Sequence, residues 1–301
     1  MTPTMPRTGA TQAVAAVAAT VVLWASAFPG IRAALTSFSP SDLAFLRFAI
    51  ATVAIGAYWM FMRPALPGQQ DWPRIILAGG LGITAYNLLL NFGQTTVTAG
   101  AASFLVNMNP VFALILGVTL AAERVSRWGV VGMLLSFVGV GVIAFGGAKE
   151  LSFDWGTLYI VAASFCFALS FVVQRPLFAR LKPISVAMGM IWSATIMLLP
   201  VAPSALEALY SASIGATIAL IFLGLGPSML AYVAWSYALS RYPVSQAASF
   251  LYLVPPVALC VAFFWVDEVP TLLTFVGGAL TLTGVIVVNT LGRVSSARKR
   301  A

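Results

Sequence analysis

The 301-residue sequence contains no histidine, two cysteines and only eight acidic residues. Without histidine there is no Ser-His or Cys-His pair and no HExxH motif, so the usual nucleophilic and zinc chemistries are closed to it. Cys166 and Cys260 sit in separate apolar runs with no CxxC or other ligand spacing, which leaves neither a disulfide framework nor a metal site. No enzyme, no metal and no cofactor is therefore expected. Charge of either sign is also scarce, at 8% of residues against roughly 25% in a soluble domain, while 60% are hydrophobic. Such a chain cannot cover itself with a water-compatible surface, and it reads as an integral membrane protein. Its 25 glycines and 17 prolines lie inside apolar stretches, where membrane helices tolerate them. The net charge of +8 comes from basic residues placed between hydrophobic runs rather than along one stripe, so it predicts membrane topology and no nucleic-acid partner.

The few charges punctuate the chain. A hydrocarbon core of about 30 Å takes roughly 20 apolar helical residues per crossing. Arg7 to Arg32 encloses span one, and Asp42 to Arg63 encloses span two with Arg47 inside it. The uncharged stretch from Arg74 to Glu123 holds spans three and four, joined near Gln94 to Thr98. Spans five to ten lie between Arg127 and Lys149, Asp154 and Arg175, Lys182 and Glu207, Glu207 and Arg241, Arg241 and Asp267, and Glu268 and Arg293. Ala25-Ser26-Ala27 imitates a signal-peptide cleavage site, but a lone Arg7 makes a poor basic leader and the repeat described next requires span one. With ten spans, 13 Lys and Arg fall on the side of the N-terminus and two, Arg32 and Lys149, on the other. The positive-inside rule then places both termini in the cytoplasm.

Sliding the chain by 146 residues aligns Ala85-Tyr86 with Ala231-Tyr232, residues 101–105 with 247–251, and Pro110-Val111 with Pro256-Val257. After a one-residue gap Glu123 meets Glu268, Gly132 meets Gly277 and Gly139 meets Gly284. The chain is thus two five-span halves, residues 1–148 and 149–301. Because five is odd, the second half enters the membrane from the opposite side, and the halves are related by a pseudo-two-fold axis in the membrane plane, as in many secondary transporters. The expected fold is an all-α integral membrane protein of ten transmembrane helices, two inverted repeats around a central cavity, working by alternating access.

Residues 23–28 (Leu-Trp-Ala-Ser-Ala-Phe), Leu46-Arg47-Phe48, the Ala-Ala-Ser run leading to Pro110, and Glu123-Arg124 together resemble the drug/metabolite transporter superfamily, ten-helix EamA type. Within it the chain is most similar to bacterial exporters of aromatic amino acids, the YddG group, although none of these motifs separates that branch from its neighbours. The resemblance implies a basket of helices in the bacterial inner membrane, with spans one, three, four, six, eight and nine nearest the substrate and spans five and ten at the periphery.

Several side chains are candidates for meeting a substrate. Asn87, Asn91 and Gln94 fall at i, i+4 and i+7 of span three and form an amide stripe that should face protein or a wet cavity. Interhelical hydrogen bonding, at about 1 kcal/mol each, explains them equally well. Ser103 and Asn107 add a polar face one turn apart in span four, and Gln246 joins the set. Trp24, Tyr86, Tyr232, Trp235, Tyr237 and Tyr252 lie deep enough to stack an aromatic solute or meet an ammonium group, with core packing as the plain alternative. Pro110, Pro255 and Pro256 free backbone carbonyls at matched depths and mark a cavity wall or hinge. Arg47 is the only charge well inside a span. It is able to attract a carboxylate, but the resemblance, which places an Arg there whatever the substrate, implies a structural or gating role.

No Asp, Glu or His lies deep in any span, which argues for facilitated rather than proton-coupled transport. The small cation exporters of the superfamily rely on a Glu in span one that is absent here, and phosphorylated substrates would want more buried basic groups than Arg47. The expected activity is export of small metabolites, foremost neutral or aromatic amino acids. A broad-specificity drug or other metabolite exporter of the same fold is the alternative, and a channel or lipid scramblase is the reading from another class. The expected partners are a small-molecule substrate and the lipid bilayer, with the protein a monomer.

Overall fold

The computed structural model describes residues 7–97, 99–147, 155–257, 272–292 and 294–296. The proposed seam at Lys149 to Asp154, together with Cys260, Asp267, Glu268 and Arg293, lies outside them. Seven helices are long and apolar enough to cross a membrane: Thr11–Ala34, Pro40–Met62, Gln69–Gly93, Ala102–Thr119, Trp155–Ala179, Pro183–Ser211 and Ile214–Arg241. They are spans one to four and six to eight. Spans five (Arg127–Gly147), nine (Val244–Val257 in its described part) and ten (Leu272–Thr290) complete the ten.

Local chemistry sets the ends of these helices. Span two begins where the Ser39 hydroxyl accepts a hydrogen bond from the Asp42 amide at 3.2 Å, with Pro40 in the first turn, where its missing N–H costs nothing. It stops where Arg63 turns left-handed at φ 44°. One addition to the all-helical expectation is a small antiparallel ribbon, Glu123–Val125 against Val294–Ser296, which pairs polar backbone just after span four with backbone beyond span ten.

The two-fold relation is visible in contacts between residues and their own counterparts. In spans one, two, six and seven the register is 143 residues, matching Ala25 with Ala168, Phe28 with Phe171, Arg32 with Arg175 and Thr52 with Thr195. A residue on a two-fold axis touches its own mate. The Thr52 and Thr195 hydroxyls lie 2.7 Å apart. Trp24 meets Phe167, the residue at its matched position, edge to face at 5.3 Å. The Ser136 hydroxyl donates to the carbonyl of its mate Thr281 at 3.1 Å.

Spans five and ten pack on each other at the periphery by the same rule. A Cβ on Gly132 would stand 2.7 Å from the Gly284 carbonyl, and one on Gly139 would stand 2.7 Å from the Gly277 carbonyl. Gly132 and Gly277 are mates, as are Gly139 and Gly284, so each residue faces the mate of the other. Between lipid-embedded helices, where water supplies no hydrophobic drive, such small residues let backbones approach and gain dispersion energy. At Gly284 an added methyl group would come within 2.6 Å of the Ser136 amide nitrogen, whereas at Gly278 it would meet nothing within 4 Å. Gly284→Ala should therefore cost about 1–3 kcal/mol by overpacking and lower the melting temperature in detergent. Gly278→Ala should leave it nearly unchanged, and equal melting of the two variants would refute this packing.

Candidate functional site

Three interruptions in the helices shape the middle of the molecule. Gly80–Ala85 of span three and Gly226–Leu230 of span eight are wound as wide π turns, at positions matched by the 146-residue register. Such turns cost hydrogen-bond geometry and concentrate at functional sites. Each ends within two residues of the tyrosine of its half, Tyr86 or Tyr232. The third interruption is at Asn107 and Met108, between the helices Ala99–Val106 and Asn109–Thr119 of span four. Pro110 has no N–H for the Val106 carbonyl, and the Ser164 hydroxyl of span six supplies a partner, lying 3.0 Å from that oxygen and 3.1 Å from the Leu105 oxygen. The Asn109 amide nitrogen donates to the Ser164 carbonyl at 3.1 Å, so the break is clamped from both sides.

These interruptions surround a cavity of about 40 Å³, room for one or two waters. Spans one, two, three, four, six, eight and nine line it, through residues that include Trp24, Arg47, Tyr86, Asn87, Asn107, Phe167 and Tyr232. All six spans expected from the resemblance take part, and span two joins them through Arg47. The aromatic lining follows the two-fold: Tyr86 stacks on Phe167 at 4.4 Å, and its mate Tyr232 meets Trp24 edge to face at 5.6 Å. Toward the membrane face that carries the N-terminus, Phe171 and Trp235 pack at 5.0 Å, and Trp24 reaches Trp235 at 5.5 Å. Phe171 and Trp235 are buried, and these rings form an aromatic floor on that side of the lining.

Hydrogen bonds tie the lining to the π turns. The Tyr232 hydroxyl donates to the Gly82 carbonyl at 2.9 Å and accepts from the Asn87 amide at 3.3 Å. The Trp24 indole N–H donates across the axis to the Pro227 carbonyl at 3.2 Å. Arg47 is 3% exposed and donates through Nε to the Ser228 hydroxyl at 2.7 Å. Its Nη1 has no acceptor among the described residues, and the Asn107 Oδ1 has no donor.

The remaining candidates lie elsewhere. Asn91 donates to the Pro40 carbonyl at 2.9 Å, a helix-to-helix tie, and Gln94 and Ser103 are buried away from the cavity lining. The amide stripe of span three thus delivers only Asn87, which lines the cavity with Tyr86 and Leu90 of the same span. Trp235 belongs to the floor. Tyr237 is set at the membrane face, its hydroxyl donating to Gln12 at 3.0 Å and its ring under Arg241. Gln246 bonds Asn289 of span ten at 3.1 Å, and Tyr252 is buried among Met133, Val140, Val285 and Val288 of spans five and ten. Pro110, Pro255 and Pro256 stand behind the wall, beside the lining residues Val106, Leu251 and Val254. Phe167 and Ser228 escaped the sequence reading. The 143-residue match to Trp24 was the available signal for Phe167, whereas Ser228 carries none.

At the floor's rim, the Glu123 carboxylate accepts from the Val244 amide at 2.5 Å and from the Ser245 amide and hydroxyl at 3.1 and 2.5 Å. It caps the start of span nine from the end of span four, an anchor between the two halves.

Comparison with known proteins agrees with this architecture. The model of the EamA-like transporter family matches residues 11–145 and again residues 154–290. A probable terminal-alkyne amino-acid exporter of Streptantibioticus cattleyicolor is 38% identical over 94% of this chain and 95% of its own. A probable amino-acid metabolite efflux pump of Escherichia coli is 27% identical over 89% and 91%. One solved crystal structure superposes with a TM-score of 0.77 at 20% identity, covering 93% of this chain and 99% of that one, which shows a shared fold.

The bond from Tyr232 to the π turn of the other half gives a direct check. Tyr232→Phe should destabilise the protein by about 1 kcal/mol, read as a lower melting temperature in detergent. A variant that melts with the wild type would show that the bond contributes nothing to holding the halves together.

Proposed function

The chain belongs to the EamA-like transporter family, and from that premise we propose that it exports amino acids, with aromatic ones foremost, by alternating access. It is a membrane transporter of small metabolites and not an enzyme. The observation that carries the amino-acid reading is the cavity itself: a ring of aromatic side chains on the two-fold axis, with one guanidinium and two amides among them. Aromatic walls suit an apolar side chain through stacking, and the polar groups suit a backbone-like head. The names carried by two relatives, an exporter of one amino acid class and an amino-acid metabolite efflux pump, support the same class.

In this reading the rings of Trp24, Phe171 and Trp235 are the closed gate toward the cytoplasm, where both termini lie. Exchange of conformations between the halves would open that gate and close the other side. The cavity lining contains no carboxylate among the described residues, which supports a facilitator over a proton-coupled carrier. A monomer belongs to this reading, since the residues that line the cavity all come from one chain.

Counterflow in proteoliposomes preloaded with unlabelled phenylalanine or tryptophan tests this directly. Trace labelled amino acid should accumulate transiently and saturably with no ion gradient. Flux that never saturates would mean a channel, and exchange restricted to amphipathic drugs would move the protein to another substrate class.

A further inference from the structure

The cavity obeys the two-fold axis in its aromatic residues and breaks it in its polar ones. Trp24 and Phe167 are matched, as are Tyr86 and Tyr232. Arg47, by contrast, is matched by Met190 in the 143-residue register, and Asn87 and Asn107 are matched by Val233 and Leu253 in the 146-residue register. All three polar groups come from the first half. The second half packs the same positions with apolar side chains, Met190 being 2% exposed.

Two of the three are also unfinished. Arg47 spends Nε on Ser228 and leaves Nη1 without an acceptor, and it pairs with no carboxylate among the described residues. Asn107 spends its amide nitrogen on the Ser103 carbonyl at 2.6 Å and leaves Oδ1 without a donor. Both residues are 3% exposed and line the one cavity. A buried guanidinium without a counter-charge is costly in a membrane interior, and a carboxylate is the group whose geometry and charge complete it. A bare amide oxygen is completed by an N–H donor, an ammonium best of all.

We propose that this pair reads the two charges of a zwitterion: Arg47, positioned by Ser228, takes the substrate carboxylate, and the Asn107 oxygen takes its ammonium. The inference rests on the amino-acid reading above and adds which head group is required and which residues require it. The aromatic ring of Trp24, Phe167, Tyr86 and Tyr232 then holds the side chain and is indifferent to the head. The cavity is too small for a whole amino acid as it stands, so the substrate enters with a widening of this region, for which the π turns behind Tyr86 and Tyr232 are placed.

The test is competition in the counterflow assay by analogues that lack one charge each. Phenylalaninol and phenethylamine lack the carboxylate, and 3-phenylpropionate lacks the ammonium. Wild-type protein should prefer phenylalanine over each by about 10- to 100-fold, the loss of one charge-assisted hydrogen bond. In Arg47→Gln the preference over phenylalaninol should collapse toward unity while that over 3-phenylpropionate persists, and Asn107→Leu should do the reverse. Arg47→Lys should retain part of the preference. The wild-type series needs no variant to fold: if carboxylate-free analogues compete as well as phenylalanine, this assignment is wrong and the amino-acid reading stands. If phenylalanine itself does not exchange, both fail together. A folded Arg47→Gln that still rejects phenylalaninol would leave Arg47 a structural residue.

Discussion

Residues that touch their own counterparts set the geometry of this molecule. Thr52 meets Thr195, Trp24 meets Phe167 and Ser136 meets Thr281, in helices at different distances from the centre, and together they trace the axis about which one half becomes the other. A helix in lipid must satisfy its backbone internally, so every break in it has to lie against protein or water. Here the breaks do. The Ser164 hydroxyl faces the carbonyl that Pro110 frees, Tyr232 takes one from the π turn of span three, and Trp24 takes one from the π turn of span eight. The interruptions and the axis therefore belong to one design, in which each half holds open the irregular backbone of the other.

That dependence has a functional consequence. A symmetric scaffold can exchange the conformations of its halves, and the side shut in one state is the side open in the other. In the structure the rings of Phe171 and Trp235 pack together toward the face that bears the N-terminus, and Glu123 holds the start of span nine against the end of span four on that same face. Opening there requires parting these contacts, and the matched π turns give the helices a place to bend. The asymmetric residues Arg47, Asn87 and Asn107 are superimposed on this machinery and do not drive it. In the proposed reading, Arg47 and Asn107 select what is carried.

Much of the fold was legible because charge is so rare in the chain. Single residues such as Arg63, Glu123 and Arg241 mark span ends, and the run of small residues before Pro110 repeats before Pro256 closely enough to fix the register of spans three to five on eight to ten. The matching register of the other spans was not legible, since its identities are isolated residues, Phe28 with Phe171 or Thr52 with Thr195, that mean little without the contact between them. The candidate site was legible in part. Deep Trp24, Tyr86 and Tyr232, buried Arg47, Asn87 and Asn107 all reach the cavity, whereas Asn91, Gln246 and Tyr252 are polar but serve helix packing. Periodicity gives the face of a helix and says nothing of how far along that face a cavity extends. Phe167 and Leu251 are apolar residues among many, and the π turns leave no compositional mark beyond glycine.

Alternating access about this axis is the central claim, and spin-label distances on the two faces measure it most directly. In a background with Cys166 and Cys260 replaced by serine, one pair would be Arg124→Cys with Arg241→Cys on the face of the N-terminus, and the other Thr95→Cys with Tyr210→Cys on the opposite face. Each pair spans the two halves at exposed positions. On adding phenylalanine to protein in nanodiscs, the account predicts that the two distance distributions shift in opposite senses, one pair parting as the other closes. Distributions that widen together, or a transporting protein in which neither pair moves, would contradict it.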